Sequence, residues 1–235
     1  MPSSYYLPGK GRSARVEDLF ATIASRYDLI NDLQSLGLHR LWKRRLIQLA
    51  KPKPHERALD LCCGTGDVAF RLANAGTHTV AADFSLPMLQ VGRERFQNER
   101  IQFIRADALN LPFDDSTFDL LTISYGLRNL ADVREGLNEM QRVLKPGGRA
   151  MILDFGKPTH PAFRLGYYFY LKRFVPLFGR VFCGNSATHA YIYESLMAYP
   201  AQKGVAELMR QDGWANIRIE NLLGGMMSIN LGEKR

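Results

Sequence analysis

The chain is poor in cysteine, and the placement of the few it has excludes two classes of protein. Cys62, Cys63 and Cys183 are the only three in 235 residues. Cys62 and Cys63 are adjacent, a spacing that makes a poor disulfide. None has the paired spacing of a zinc site, so no metal is expected. The small odd number fits a reducing cytoplasm better than a disulfide framework. Long apolar runs are missing too: no window reaches the roughly 18 uninterrupted apolar residues of a membrane-spanning helix. Met1 to Arg15 is polar and basic without an apolar stretch, which gives no sign of a secretory signal. Internal repeats and low-complexity tracts are absent. What remains, with 46% hydrophobic and 23% charged residues, is an ordinary globular composition sized for one core-bearing domain with additions.

Acid is locally scarce. No Asp or Glu occurs between Asp154 and Glu194, while the interval carries Lys157, Arg164, Lys172, Arg173 and Arg180. It also carries Phe163, Tyr167, Tyr168, Phe169, Tyr170, Phe174, Phe178 and Phe182. Cations among many aromatics suit a helix lying at a lipid surface better than a groove that tracks phosphates. The net charge of +8 therefore points to a membrane surface and away from nucleic acid. Arg40, Lys43, Arg44, Arg45, Lys51 and Lys53 form a second basic cluster. A solvated face plus ordinary core aromatics is the competing reading.

Along the chain, residues 13–50 read as helical, and Pro52 and Pro54 end that segment. Alternation of strands and helices then begins. Strands are expected at Ala58–Cys62, Thr79–Asp83, Ile101–Arg105, Phe118–Ser124 and Arg149–Asp154. Helices are expected at Asp67–Ala75, Leu86–Phe96 with Ser85 as its cap, and Val133–Leu144. Lys145-Pro-Gly-Gly148 supplies a stop. Residues 157–199 interrupt the alternation as a helical cap. A helix at Ala201–Gln211 and strands at Asn216–Leu222 and Met226–Leu231 follow. The short Gly224-Gly225 connection implies that the last two strands pair antiparallel. This is the layout of class I S-adenosylmethionine-dependent methyltransferases: a Rossmann-like, doubly wound α/β sheet with an antiparallel last strand, plus a helical cap. The expected organisation is a single domain over 1–235, with N-terminal helices 13–50, core 57–156 and 200–235, and the cap 157–199.

Ala58-Leu-Asp-Leu-Cys-Cys-Gly-Thr-Gly-Asp-Val68 carries the most chemistry. A strand, a glycine turn at Gly64 and Gly66, and a helix start let a nucleotide cofactor lie against bare backbone. Gly64-Thr-Gly-Asp-Val-Ala69 also satisfies the loose fingerprint of NAD proteins, and Asp83 can take ribose hydroxyls for either cofactor. Three features favour S-adenosyl-L-methionine. Asp60, at the end of its strand, suits the ammonium of a methionine group and would repel a pyrophosphate. Asp107, followed by Ala108 after the third strand, is placed to accept from an adenine amino group. Leu144-Lys-Pro-Gly-Gly148 is frequent in methyltransferases. Tyr168 and Lys172 have the spacing of a reductase pair, but no reductase glycine pattern accompanies them.

The chain resembles the ubiquinone/menaquinone-biosynthesis C-methyltransferases along nearly its whole length. Phe20-Ala-Thr-Ile-Ala-Ser-Arg-Tyr-Asp-Leu-Ile-Asn-Asp32, Gly37-Leu-His-Arg-Leu-Trp-Lys43, the glycine turn and Gly126-Leu-Arg-Asn129 carry the likeness. Leu61-Cys-Cys-Gly-Thr-Gly66, with Cys62 where a glycine is usual, is similar to the cyanobacterial and plastid branch that makes phylloquinone. The resemblance implies cofactor contacts at Thr65, Asp83, Asp107, Ala108 and Ser124. It implies methylation of a ring carbon on a prenylated or phytylated naphthoquinol. Arg128 or Asn129 is expected to stabilise the quinolate oxygen, and His189 is the candidate base. The oily substrate tail implies a cytoplasmic protein held peripherally on the membrane.

Overall fold

The computed structural model describes the backbone of residues 27–183 and 187–235, and the side chains of 29–176 and 192–235. The helix expected over 13–26 lies outside the described residues. Two helices precede the sheet, α1 (Tyr27–Ser35) and α2 (Leu38–Ala50). Then come β1 (Arg57–Leu61), α3 (Asp67–Asn74), β2 (His78–Asp83), α4 (Leu86–Arg95), β3 (Ile101–Arg105), β4 (Phe118–Ser124), α5 (Val133–Val143) and β5 (Leu144–Phe155). Two helices follow, α6 (Pro161–Cys183) and α7 (Ala187–Ala198), and the chain ends with α8 (Ala201–Gln211), β6 (Ala215–Leu222) and β7 (Met227–Glu233).

The strands make one seven-stranded sheet in the order β3-β2-β1-β4-β5-β7-β6. β1 to β5 pair in parallel, and β7 enters antiparallel between β5 and β6. This matches the sheet expected from the sequence. The central strands are buried almost throughout, which explains their continuous apolar runs. Alternate residues serve opposite faces. Ala58, Leu120, Met151 and Leu153 pack beneath Leu46 and Ala50 of α2 and Leu72 of α3. Leu59, Leu61, Leu121, Ile123 and Ile152 pack with Leu137 and Met140 of α5, Val205 and Met209 of α8, and Tyr167, Leu171 and Leu196 of α6 and α7.

Three local features differ from the expectation. Ser85 stands at the N-cap of α4 but its hydroxyl makes no cap bond; instead the Asp83 carboxylate accepts from the Ser85 amide at 2.9 Å. β5 starts at Leu144, five residues early. The Lys145-Pro-Gly-Gly148 stretch ends the helix yet stays paired: Leu144 pairs with Phe118, the Gly147 amide donates to the Lys234 carbonyl, and the register then shifts before Arg149 meets Leu120. β7 starts at Met227, because Leu223–Gly225 form a 3-10 turn with positive φ at all three residues.

Arg149 ties α2 to the sheet. Its guanidinium donates to the Ala50 and Lys51 carbonyls at 2.7 and 3.0 Å and to both oxygens of Glu56 at 3.0 and 2.8 Å. Burial pushes Glu56 up, but the Arg149 guanidinium and the Lys53 amide outweigh it and leave the carboxyl below its ordinary value of 4.5. A depressed carboxyl stabilises the fold above its ordinary pKa, and that contribution fades as pH falls through the lower folded value. Arg149→Ala should cost about 2 kcal/mol in urea unfolding at pH 7. The loss should shrink in acid below the ordinary pKa of Glu56; an equal loss at pH 7 and pH 3 would contradict this account.

Candidate active site

The sheet order reverses between β1 and β4, and ligands of open α/β sheets bind at such a crevice, beyond the carboxyl ends of the strands. Both strands leave the sheet through non-glycine residues in the left-handed region, Cys62 at φ 52° and Tyr125 at φ 62°. Gly64 and Gly66 complete the first turn at φ 55° and 82°. The Gly64 amide donates to Asp83 Oδ2 at 2.8 Å, so the tip of β2 fixes the turn after β1.

A cavity of about 160 Å³ opens there. Gly64, Asp83, Asp107, Ala108, Ser124 and Asn129 line it, with Met88, Leu109 and Tyr125 among the other walls. Asp107 Oδ1 accepts from the Leu109 amide at 2.9 Å, which holds that loop in shape. Ser124 Oγ and Asn129 Oδ1 are buried here without a hydrogen-bond partner. Buried polar atoms of this kind are uncommon unless a ligand or water completes them. Two carboxylates, an orphaned amide oxygen, an orphaned hydroxyl and apolar walls fit the donors and the ring of S-adenosyl-L-methionine, the methyl donor expected from the sequence.

A second, larger cavity of about 370 Å³ lies on the other side of Tyr125, which lines both. Ile30, Trp42, Phe155, Leu171, Val175 and Met226 give it apolar walls. Its polar lining is sparse: Asn31, Gln34, Ser35 and His39 from α1, α2 and their junction, Tyr167 and Tyr170 from α6, and Arg128. Burial pushes the Tyr167 and Tyr170 hydroxyls above their ordinary range. They donate to the Met226 and Gln34 carbonyls at 3.2 and 3.1 Å.

The Gly126-Leu-Arg-Asn129 stretch shapes the wall between the cavities. A Cβ on Gly126 would stand 2.5 Å from Cys62 Cβ, so only glycine admits the turn after β1. Arg128 Nη1 and Asn129 Nδ2 both donate to the Tyr125 carbonyl. Arg128 is also ion-paired with Asp154 at 3.0 Å, with its guanidinium 4.6 Å from the Phe155 ring centre. Arg128 and Asn129 are therefore not interchangeable. Arg128 faces the larger cavity and Asn129 the smaller.

Other expectations are corrected. Asp60 does not line the cofactor cavity. It is 1% exposed, one oxygen accepts from the Thr122 hydroxyl at 2.7 Å, and Oδ2 has no partner. Thr65 and Gly66 are likewise outside the lining; Gly66 closes the turn, where a Cβ would stand 2.9 Å from the Phe103 ring. The His189 side chain lies outside the described residues. Half of the second basic cluster is ion-paired: Arg40 with Asp32, Lys43 with Asp67, and Arg45 with Glu220. Sequence reading missed Tyr125, Trp42 and the whole α1–α2 wall. The signals were the Phe20-to-Asp32 and Gly37-to-Lys43 stretches, which say nothing about which side chains face inward.

A family model described as the ubiE/COQ5 methyltransferase family matches residues 9–234. The chain belongs to that family. The methyltransferase is 41% identical over 224 residues to a demethylmenaquinone methyltransferase of Clavibacter sepedonicus, covering 95% of this chain and 91% of the relative. It is 40% identical over 233 residues to a ubiquinone/menaquinone biosynthesis C-methyltransferase of Xanthomonas axonopodis pv. citri, covering 96% and 92%. Among solved structures, a putative S-adenosyl-L-methionine-dependent methyltransferase of Methanococcus maripaludis superposes with TM-score 0.62 at 20% identity, over 92% of this chain and 94% of that one. The Haemonchus contortus phosphoethanolamine N-methyltransferase 2, in complex with S-adenosyl-L-methionine, gives TM-score 0.62 at 17% identity over 82% and 52%. These likenesses establish the class I S-adenosylmethionine-dependent methyltransferase fold.

Asp60 gives the methyltransferase a pH signature. Burial raises its carboxyl from 3.8 to about 7, against the Thr122 hydroxyl and the Lys43 charge. A carboxyl raised on folding binds its proton more tightly in the native state, so its contribution is full below 3.8 and declines as pH climbs toward 7. Asp60→Asn removes that decline. In urea titrations at pH 4 and pH 8, the variant should gain on the parent by a few kcal/mol between the two; parallel behaviour would show that Asp60 is ionised throughout.

Proposed function

We propose that this methyltransferase transfers the methyl group of S-adenosyl-L-methionine to a ring carbon of a naphthoquinol carrying a long apolar tail. The observation that carries the reading is the pair of cavities with Tyr125 in common, one lined by carboxylates and the other by apolar side chains. When bound, the donor supplies an electrophilic sulfonium methyl, so the protein's task is alignment and charge control. Asp83, Asp107 and Asn129 Oδ1 would accept from the donor's hydroxyl, amino or ammonium groups. Trp42, Phe155 and Met226 would exclude water from the ring. Arg128, held by Asp154 and the Tyr125 carbonyl, would place a fixed positive charge where the ring oxygen turns anionic. The Leu61-Cys-Cys-Gly-Thr-Gly66 turn favours a phytylated ring, the phylloquinone precursor. Relatives named demethylmenaquinone methyltransferase make the polyprenylated ring the second reading.

Membrane association belongs to the same proposal. Among the described residues, no helix is long and apolar enough to cross a membrane. Leu36 and Leu223 line the larger cavity and are 87% and 48% exposed, so its mouth is greasy. Phe163 lies against the Gly224 backbone beside that mouth, and Leu165, Phe169 and Phe174 on α6 are exposed too. Arg164, Lys172 and Arg173 are exposed on the same helix. A lipid surface of anionic headgroups matches this mixture, and it would let a quinol tail pass directly into the cavity.

Incubating the protein with S-adenosyl-L-methionine and reduced 2-phytyl-1,4-naphthoquinone should give a product one methyl heavier by mass spectrometry. Asp83→Asn should weaken donor binding about ten- to a hundredfold in calorimetry, the loss of a charge-assisted hydrogen bond. Neither a phytylated nor a prenylated naphthoquinol being methylated would end the substrate reading. In flotation with phosphatidylglycerol vesicles, binding should be strong at low salt and fall as salt rises. Leu165→Asp with Phe169→Asp should abolish it; retention by that double variant would place the lipid contact elsewhere.

A further inference from the structure

Three residues that line the larger cavity carry a buried side-chain nitrogen without a hydrogen-bond partner among the described residues: Asn31 Nδ2, Gln34 Nε2 and His39 Nδ1. They sit on neighbouring helices, two on α1 one turn apart and one near the start of α2. A mostly apolar wall is a costly place to leave such atoms unsatisfied, and clustering of three is a functional signal. Asn31 and Gln34 offer N–H donors. His39 offers something different.

His39 is 5% exposed, and its Nε2 lies 2.8 Å from Asp32 Oδ1. Asp32 is fixed in turn by Arg40, whose Nε bonds Oδ1 at 2.7 Å and whose Nη2 bonds Oδ2. The Arg40 guanidinium holds the Asp32 carboxyl well below the usual carboxylate range, against the effect of burial. An ionised carboxylate can only accept, so the imidazole carries its proton on Nε2 and presents the bare Nδ1 lone pair. Among the described residues, the other titratable groups of the cavity are unsuited to take a proton: Arg128 is paired with Asp154, the Tyr167 and Tyr170 hydroxyls already donate to carbonyls, and Tyr125 is a phenol that carries its own proton.

We infer that His39 is the general base of methyl transfer, its Nδ1 removing the hydroxyl proton of the quinol ring while Asp32 orients the imidazole. This rests on the quinol reading of the cavity. The O–H bond breaks, the proton goes to Nδ1, and the electron pair stays with the ring. The activated ring carbon forms its bond to methyl as the methyl–sulfur bond breaks, and the sulfur keeps that pair as a thioether. The ring carbon then loses its hydrogen as a proton to water, and His39 returns its own proton to the ring oxygen. One proton is released per turnover. Asn31 and Gln34 are placed to donate to ring oxygens as their charge grows.

Burial lowers the His39 pKa below 6.5, opposed by Asp32 and reinforced by Lys43 on the same helix. Asp67 on α3 raises it slightly. Tyr125 and Arg128 line the same cavity from the loop after β4, and Tyr167 and Tyr170 from α6. Neutral His39 is therefore the form present at pH 7, and activity should fall in acid as the ring nitrogen is occupied. Asp32→Asn removes the raising partner, so that acid limb should move to lower pH.

The test is the pH dependence of turnover on reduced phytylated and prenylated naphthoquinols. His39→Gln should reduce kcat about a hundred- to a thousandfold at pH 7.5, within the range of a lost general base. Its rate should climb with pH toward the parent's, because an already ionised hydroxyl needs no base. Calorimetric binding of S-adenosyl-L-methionine should be unchanged. A rate within threefold of the parent, or a loss that alkaline pH does not repair, would overturn the role. Should His39→Gln not fold, Asp32→Asn decides: an acid limb that stays in place also overturns it. A parent that binds the donor yet methylates no quinol would instead remove the quinol reading itself, and this role with it.

Discussion

The site depends on two residues held where side chains are rarely found. Cys62 and Tyr125 end adjacent parallel strands in left-handed backbone, a conformation that costs about 1–2 kcal/mol for a residue with a Cβ. Their neighbours stabilise them there. The Cys63 amide donates to the Ala82 carbonyl, and the Tyr125 amide to the Leu153 carbonyl, so each turn is tied to the next strand over. Arg128 and Asn129 then close on the Tyr125 carbonyl from beyond. Because both chains swing outward at the same level, the sheet edge splits into two hollows with the tyrosine between them.

Charge is arranged on the same plan. Arg128 and Asp154 form a pair that is almost wholly buried, 4% and 2% exposed at their side chains. Such a pair contributes little net stability against an apolar replacement, since desolvation consumes most of the attraction. Its retention makes sense as positioning. Asp154 accepts from both the Arg128 amide and its guanidinium, which fixes the whole residue, backbone and head, at one point of the cavity wall. A lysine could supply the charge there but not the planar guanidinium that lies over the Phe155 ring.

Much of this was legible in the residues. The continuous apolar runs of β1, β2 and β4, the caps and the short Gly224-Gly225 connection dictated a parallel sheet with an antiparallel finish, because burial on both faces leaves no other pattern. Asp83, Asp107, Ala108, Ser124 and Gly64 line one cavity because strand ends must converge at the switch point. What sequence could not resolve was direction within a helix. Lys43 reads as a surface cation, yet it lies 6% exposed against Asp67, and its neighbour Trp42 lines the apolar hollow. The apolar and basic residues of α2 are mixed closely enough that spacing alone does not decide which flank meets the sheet. Asp60 shows the opposite failure. Its position before the glycine turn was right, but the pleat directs its carboxylate into the sheet toward Thr122 rather than outward to a ligand.

The α1–α2 wall, rather than the Rossmann-like core, therefore differentiates this methyltransferase chemically. The core brings Asp83 and Asp107 to one small cavity at the strand ends. Ile30, Trp42 and His39 come from helices that the sheet does not require for its own pairing, and they wall a mostly apolar hollow. In a hollow with so few polar groups a hydroxyl gives up its proton far more readily to a base built into the wall. Among the described residues of the walls, the one imidazole is that of His39.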